Sequence, residues 1–166
     1  RVALALHGPD IKFVDALRGR HGVGPDDPIV CFQLGASEEN KRWPVDSFAL
    51  LGRELVQRHN ARLFLVGIGA EAPLGDAFEK RVPGLAVPLF GATTLPQLAA
   101  LLARARVLVT NDTGTMHLAT AVNCPVVLAS IGYVHFRETG PYGPGHCAVE
   151  GRRSRLGRIG DSAPRN

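Results

Sequence analysis

The stretch VLVTNDTGTMHLATA, residues 107–121, joins an apolar run to a polar turn and then to a run of helix-forming residues. This order predicts a buried strand followed at once by a helix, as in the strand-to-helix turns of parallel α/β sheets. The first backbone N–H groups of such a helix are free to bind anions. Because Asp112, Thr113 and His117 surround the predicted helix start, we expect a phosphate or a sugar to bind at this turn.

The same turn could instead be a capped helix start with His117 packed inside the protein. A lone histidine would favour that explanation. Here, however, Asp112-Thr113-Gly114 with His117 three residues beyond the glycine puts a carboxylate, a hydroxyl and an imidazole around one helix start. This combination favours a binding site.

The rest of the chain alternates short β-rich runs with helical patterns, and most of these runs are apolar enough to be buried on both faces of a sheet. The predicted strands are Ile29 to Leu34, Arg62 to Val66, Leu85 to Leu89, Arg106 to Val109 and Pro125 to Ala129. The clearest helix runs from Val45 to His59, and another runs from Leu95 to Arg104 with Thr94 as its N-cap. This alternation predicts an α/β fold, a Rossmann-like three-layer sandwich around a parallel sheet.

Three segments follow from these patterns. Residues 29–132 form the predicted Rossmann-like domain. Residues 1–28, with a candidate helix around Ile11 to Leu17 and a Gly/Pro/Asp-rich link, are predicted to be a connector from a preceding domain. Residues 133–166 are rich in Gly, Pro and Arg, and we predict a partly disordered segment there. The chain opens with Arg1 and shows no secretory leader pattern, so we expect it to be cut from a longer protein.

The net charge of +4 comes from the C-terminal segment. Residues 1–150 hold 14 Lys/Arg and 14 Asp/Glu, whereas residues 151–166 hold five Arg and one Asp. A basic arm of Arg152, Arg153, Arg155 and Arg158 could contact phosphates or an anionic membrane surface, but its composition favours a solvated terminus. We therefore predict no specific nucleic-acid partner. No apolar run reaches 18 residues, which predicts a soluble domain.

The three cysteines are scattered and show no metal-ligand spacing. Cys31 and Cys124 lie in apolar runs, so we expect both to pack as small hydrophobic side chains in a reducing compartment. The sequence predicts no structural metal.

Ligands of open parallel sheets bind at the carboxyl ends of the strands, which directs attention to the loops there. The loop GASEENKRWP, residues 35–44, offers a serine hydroxyl, backbone N–H groups and the ammonium of Lys41, a set that suits a diphosphate. A surface loop with solvated charges is the alternative. The loop GIGAEA, residues 67–72, mimics the dinucleotide fingerprint, but it does not follow the first strand and lacks the acid that should close the next one. We interpret its glycines as allowing close approach to a ligand, with Glu71 accepting hydrogen bonds from ribose.

Taken in order, three blocks of sequence resemble one family. They are GAS with KRWP in residues 35–44, GATTL in residues 91–95, and NDTG with MHLA in residues 111–119. Together they resemble the C-terminal half of glycosyltransferase family 9, the lipopolysaccharide heptosyltransferases, over roughly residues 29–132. The resemblance implies the C-terminal domain of a GT-B enzyme, which binds the donor ADP-heptose or another nucleotide sugar.

The resemblance also implies a role for each matching residue. Lys41 would contact the phosphates and stabilise the leaving diphosphate, with the hydroxyl of Ser37 beside it. Glu71 would bind ribose, and Thr93 would lie against adenine. Sugar and diphosphate would be held by Asp112, Thr113, Gly114 and His117.

The reaction that the resemblance implies is inverting transfer of heptose to the lipopolysaccharide core, with no cofactor and no required metal. The general base would be an aspartate of an N-terminal domain that also binds the acceptor. We therefore expect this chain to bind donor without transferring sugar, in a cytoplasmic enzyme that works near the inner face of the inner membrane. Two alternatives stay open: a non-catalytic nucleotide-sugar-binding module, and a nicotinamide-dependent oxidoreductase domain that uses Gly67 and Gly69 as its fingerprint.

Overall fold

A computed structural model describes residues 6–36, 38, 42–111, 114–131 and 147–151. Helices and strands alternate along the chain. In order they are α1 (Gly8–Arg20), β1 (Ile29–Gln33), α2 (Val45–His59), β2 (Arg62–Gly67), α3 (Ala72–Arg81), β3 (Ala86–Phe90), α4 (Leu95–Arg104), β4 (Val107–Thr110), α5 (Gly114–Ala121), β5 (Val126–Ile131) and β6 (Cys147–Gly151). The 3₁₀ turn Gly69–Glu71 leads into α3.

The strands form one parallel sheet in the order β3-β2-β1-β4-β5-β6. Successive strands run outward in one direction from β1 to β3 and in the other from β4 to β6. The order therefore reverses between β1 and β4, and the crevice at such a reversal is where ligands of open α/β sheets bind. The predicted α/β fold with a Rossmann-like parallel sheet is confirmed.

Two apolar cores lie on opposite faces of the sheet, which makes the molecule three-layered. Ile29 and Cys31 of β1 belong to the core that α1, α4 and α5 cover. Val30 and Phe32 belong to the other core, which α2 and α3 cover. This alternation along β1 is the two-residue period of a strand that is buried on both faces.

The start of α4 illustrates how local sequence determines where a helix begins. Thr94 Oγ1 accepts a hydrogen bond from the backbone N–H of Gln97 at 3.2 Å, and Gln97 Oε1 accepts one from the backbone N–H of Thr94 at 2.9 Å. This is a reciprocal capping box, and it confirms Thr94 as the predicted N-cap. The bounds of α2 and α4 also agree with the prediction.

Three elements go beyond the sequence patterns. Helix α1 is longer than the candidate helix at Ile11 to Leu17, and its Val14 and Leu17 are buried in the core, so this part of the predicted connector packs against the domain. Helix α3 has no bounds in the sequence prediction. Strand β6 lies within the C-terminal segment for which no element is predicted, and it pairs with β5.

Much of that C-terminal segment, including the arginines of the basic arm, lies outside the described residues. Within the part of the chain that the structure describes, no helix has the length and apolar character needed to cross a bilayer.

Candidate functional site

A cleft of about 280 Å³ opens at the carboxyl ends of the strands, beside β2 and β3. Its walls come from the turn after β2, the loop after β3 and the start of α4. The lining includes Gln33, Ile68, Glu71, Thr93, Leu95 and Leu98. Two predicted site residues, Glu71 and Thr93, therefore lie in one cleft. The side chains of Ile68 and Leu95 are 66% and 67% exposed, which gives the cleft apolar walls that a flat base could cover.

The carboxylate of Glu71 is held by a closely fitted backbone. Its Oε1 atom accepts hydrogen bonds from the backbone N–H of Ile68 at 3.0 Å and from Gln33 Nε2 at 3.1 Å. A Cβ added at Gly35 would overlap Glu71 Oε2, and one added at Gly67 would lie 2.6 Å from Oε1. The glycines of this loop are predicted to allow a ligand to approach the backbone closely. At Gly67 the group that lies close to the backbone is instead the carboxylate of Glu71.

Gln33 is a site residue that sequence reasoning missed. It is the last residue of β1, it is 3% exposed, and it lines the cleft. Its Nε2 donates to Glu71, and its Oε1 accepts a hydrogen bond from Thr115 Oγ1 at 3.2 Å. The available signal was a polar residue at the end of an otherwise apolar strand.

Helix α5 begins at Gly114, three positions before His117. Gly114 and His117 are exposed, whereas Met116 and Ala119 face the core. His117 is therefore not packed inside the protein. Asp112 and Thr113 lie outside the described residues.

The loop between β1 and α2 is fastened at both ends by one carboxamide. Asn111 is fully buried and follows β4 directly. Its Oδ1 accepts from the backbone N–H of Trp43 at 2.9 Å, and its Nδ2 donates to the carbonyls of Leu34 at 3.0 Å and Gly35 at 3.2 Å. The predicted phosphate contacts of this loop, Ser37 and Lys41, lie outside the described residues.

Trp43 of the KRWP block is a core residue. It is 4% exposed, and its ring packs edge-on against Phe48 at the start of α2, with centroids 4.9 Å apart. Together with the Asn111 bonds, this contact fixes the end of the loop that carries Lys41. The tryptophan therefore anchors the C-terminal end of this loop in the core.

Cys31 and Cys124 are buried with free thiols, as predicted. Burial raises the pKa of both thiols above the usual range, that of Cys124 to about 12, and the neighbouring Cys124 raises the pKa of Cys31 further. Both side chains lie outside the cleft lining. Among the described residues no group of three or more His, Cys, Asp or Glu could hold a metal ion.

Comparison with known sequences gives one family. The model of glycosyltransferase family 9 (heptosyltransferase) matches residues 10–156. Lipooligosaccharide heptosyltransferase 2 of Haemophilus influenzae is 35% identical over 105 residues, which cover 60% of this chain and 30% of that protein. Lipopolysaccharide heptosyltransferase 1 of Pseudomonas aeruginosa is 36% identical over 125 residues, which cover 72% of this chain and 33% of that protein. The chain thus spans roughly a third of the length of these relatives.

Comparison with solved structures gives the same fold. A glycosyltransferase family 9 protein of Veillonella parvula matches with a TM-score of 0.81 at 22% identity, over 89% of this chain and 42% of that one. An Escherichia coli heptosyltransferase solved with ADP-2-deoxy-2-fluoro heptose matches with a TM-score of 0.61 at 22% identity, over 74% of this chain and 36% of that one.

Proposed function

Because this chain belongs to glycosyltransferase family 9, we propose that it is the donor-binding C-terminal domain of a GT-B heptosyltransferase and binds ADP-heptose. The observation that carries the proposal is the meeting of Glu71 and Thr93 in one cleft at the carboxyl edge of the sheet. A hydrogen-bonded side chain, Gln33, leads from this cleft to the first turn of α5. A nucleoside and a diphosphate fit these two neighbouring regions.

The nucleoside end of the proposed site is the cleft itself. Its exposed apolar side chains, Ile68 and Leu95, suit the faces of a purine, and Thr93 also lines the cleft. Glu71 offers carboxylate oxygens, which are strong acceptors for the two hydroxyls of ribose. Oε1 already accepts two protein hydrogen bonds, so we assign the ribose contact to Oε2, which lies beside Gly35.

The diphosphate end of the proposed site is the start of α5. The short connection between β4 and α5, residues 111–113, brings the helix N-terminus to the edge of the sheet, and the N–H groups of a first helical turn, which have no partner within the helix, favour an anion. We assign Asp112, Thr113, Gly114 and His117 to the sugar and diphosphate, and Ser37 and Lys41 to the phosphates. The Lys41 ammonium would stabilise the charge that develops on the leaving diphosphate, as inverting transfer requires.

Sugar transfer also needs an acceptor site and a general base. We assign both to a further domain, since the chain spans roughly a third of its curated relatives. The matched relatives include both a heptosyltransferase 1 and a heptosyltransferase 2, at 36% and 35% identity. These similar identities do not favour the acceptor of one over that of the other. The 166-residue chain should therefore bind donor and transfer no sugar, and the longer enzyme should act on the lipopolysaccharide core at the inner face of the inner membrane.

Calorimetric titration of the chain with ADP, ADP-heptose, UDP and NADH tests the proposal. We expect the ADP compounds to bind more tightly than UDP and NADH. Lys41→Ala should weaken both ADP ligands, whereas Asp112→Ala should weaken mainly the sugar-bearing one. Lys80→Ala and Asp76→Ala, which remove exposed charges from α3, are the matched controls and should leave both affinities unchanged.

Three outcomes would contradict the proposal or part of it. Absence of ADP binding by a folded chain would remove the donor-domain assignment. Tighter binding of NADH than of ADP-heptose would favour the oxidoreductase alternative. That alternative rests on the glycine-containing turn after β2. A longer protein that binds ADP-heptose but shows no transfer to a lipopolysaccharide core acceptor would point to a non-catalytic nucleotide-sugar-binding module.

A further inference from the structure

The carboxamide of Gln33 uses both of its ends inside the candidate site. Nε2 donates to Glu71 Oε1 at 3.1 Å, and Oε1 accepts from Thr115 Oγ1 at 3.2 Å. The side chain is 3% exposed, so water hardly competes for these bonds. Glu71 and Thr115 lie 44 positions apart in the sequence, and they are joined through a third residue at the end of β1.

The position of Gln33 in the sheet explains why it can join them. In register it pairs with Val66 of β2 on one side and Thr110 of β4 on the other. It therefore stands where the strand order reverses, between the strand that leads to Glu71 and the strand that leads to Thr115. A shorter side chain at this place could not reach both.

The direction of the hydrogen bonds is determined by chemistry. A carboxylate can only accept, so the NH₂ group of Gln33 must face Glu71, and its carbonyl oxygen must face Thr115. The Thr115 hydroxyl then has to donate its proton to Gln33. That proton is consequently unavailable to a bound phosphate, so Thr115 would contribute its backbone N–H to the anion and not its hydroxyl.

Building on the proposed donor site, we propose that Gln33 is a positioning residue that couples the ribose contact to the diphosphate contact. It holds the Glu71 carboxylate and the first turn of α5 in one relative geometry. Loss of the coupling would leave each contact in place but independent of the other. Binding of a ligand that spans both contacts would then weaken, because neither contact would preorganise the other.

A set of double-mutant cycles measures this coupling directly. Glu71→Met and Thr115→Val remove the polar atoms at the two ends while keeping side chains of similar size. The two single variants and the double variant are titrated with ADP in the wild-type background and again in Gln33→Met. Gln57→Met, on the exposed side of α2, provides a matched background that removes a glutamine far from the cleft.

In the wild-type and Gln57→Met backgrounds, we expect the double variant to bind about fivefold more tightly than the product of the two single losses predicts. In Gln33→Met the two losses in ADP affinity should multiply. The measured affinity of the double variant should then agree with the product of the single losses to within about twofold. Circular dichroism checks folding; if Gln33→Met does not fold, Gln33→Asn replaces it, since its side chain is too short to bridge both partners.

Equal coupling with and without Gln33, or multiplicative losses in the wild-type background, would overturn the inference while leaving ADP binding and the proposed function intact. Failure of the folded wild-type chain to bind ADP is a different result. It would overturn the proposed function, and this inference with it. A purely structural role for Gln33 would lower stability or affinity without changing the coupling.

Discussion

Replacing Asn111 by alanine tests whether one buried carboxamide holds the loop between β1 and α2 in place. The substitution removes three buried hydrogen bonds, to the N–H of Trp43 and to the carbonyls of Leu34 and Gly35. Each such bond contributes about 1 kcal/mol net, and each buried group left unsatisfied costs about 1–3 kcal/mol. The expected loss in the free energy of unfolding is therefore at least about 3 kcal/mol.

A loss of that size is a large part of the roughly 5–15 kcal/mol by which domains are stable. For a chain of this length it should lower the melting temperature by about 6–12 °C. The chain has a single tryptophan, and it is Trp43 itself, so its fluorescence reports directly on the fastened end of the loop. Urea unfolding followed by Trp43 fluorescence and by far-ultraviolet circular dichroism gives the local and the global response.

Thr120→Ala is the control, because the Thr120 hydroxyl bonds only to the Met116 carbonyl within its own helix among the contacts of the described residues. That change should cost well under about 1 kcal/mol. A loss below about 1 kcal/mol for Asn111→Ala, with unchanged Trp43 emission in the folded state, would refute the reasoning. Water or a relaxed loop would then be satisfying the three backbone groups.

Three further substitutions or conditions test other contacts. Gly35→Ala should displace the Glu71 carboxylate and weaken ADP binding about tenfold in calorimetry, which is about 1.4 kcal/mol of binding free energy. Gly19→Ala, which has open space around its Cβ, should leave ADP binding unchanged. Thr94→Ala removes the capping box of α4 and should lower stability by about 1 kcal/mol in urea unfolding. Because burial raises the pKa of Cys124 from 9.0 to about 12, the unfolded chain loses this proton first, so stability should fall as pH rises from 9 towards 12. Urea midpoints across that range should fall less steeply in Cys124→Ala.

The elements that could be predicted from the sequence are those with strong local signals. The apolar stripe of α2 and the capping box of α4 define both helices without any tertiary information. Helix α3 has weaker local signals, since Gly75 within it disfavours a helix and only Pro73 in its first turn marks its start. The reason for Gly75 is tertiary: a Cβ there would overlap the ring of Phe90 on β3. Strand β6 likewise depends on pairing with β5, a contact that local sequence does not encode.

The candidate site divides in the same way. Glu71 and Thr93 could be found because each stands in a loop after a strand, where ligand contacts are expected. Gln33 and Asn111 stand inside or beside buried strands, and their partners lie 38 to 82 positions away in the sequence. Their importance depends on which loops the sheet brings together. A pattern read along the chain assigns such residues to the core.

The lengths of the strand-to-helix connections bear on the choice between the proposed nucleotide-sugar site and a dinucleotide site on this same strand order. A dinucleotide fold places its pyrophosphate on the helix that follows the first strand after a tight glycine turn. Here residues 34–44 separate β1 from α2, and Asn111 ties both ends of that long loop, so β1 and α2 are not joined by a short glycine turn. The glycine-containing turn follows β2 instead, and there Glu71 fills the space beside Gly67. The shortest connection from a strand to a helix at the point of strand reversal is the three-residue one before α5. An anion bound at α5, with a nucleoside in the cleft beyond Gln33, would therefore lie on the opposite side of β1 from its place in a dinucleotide fold.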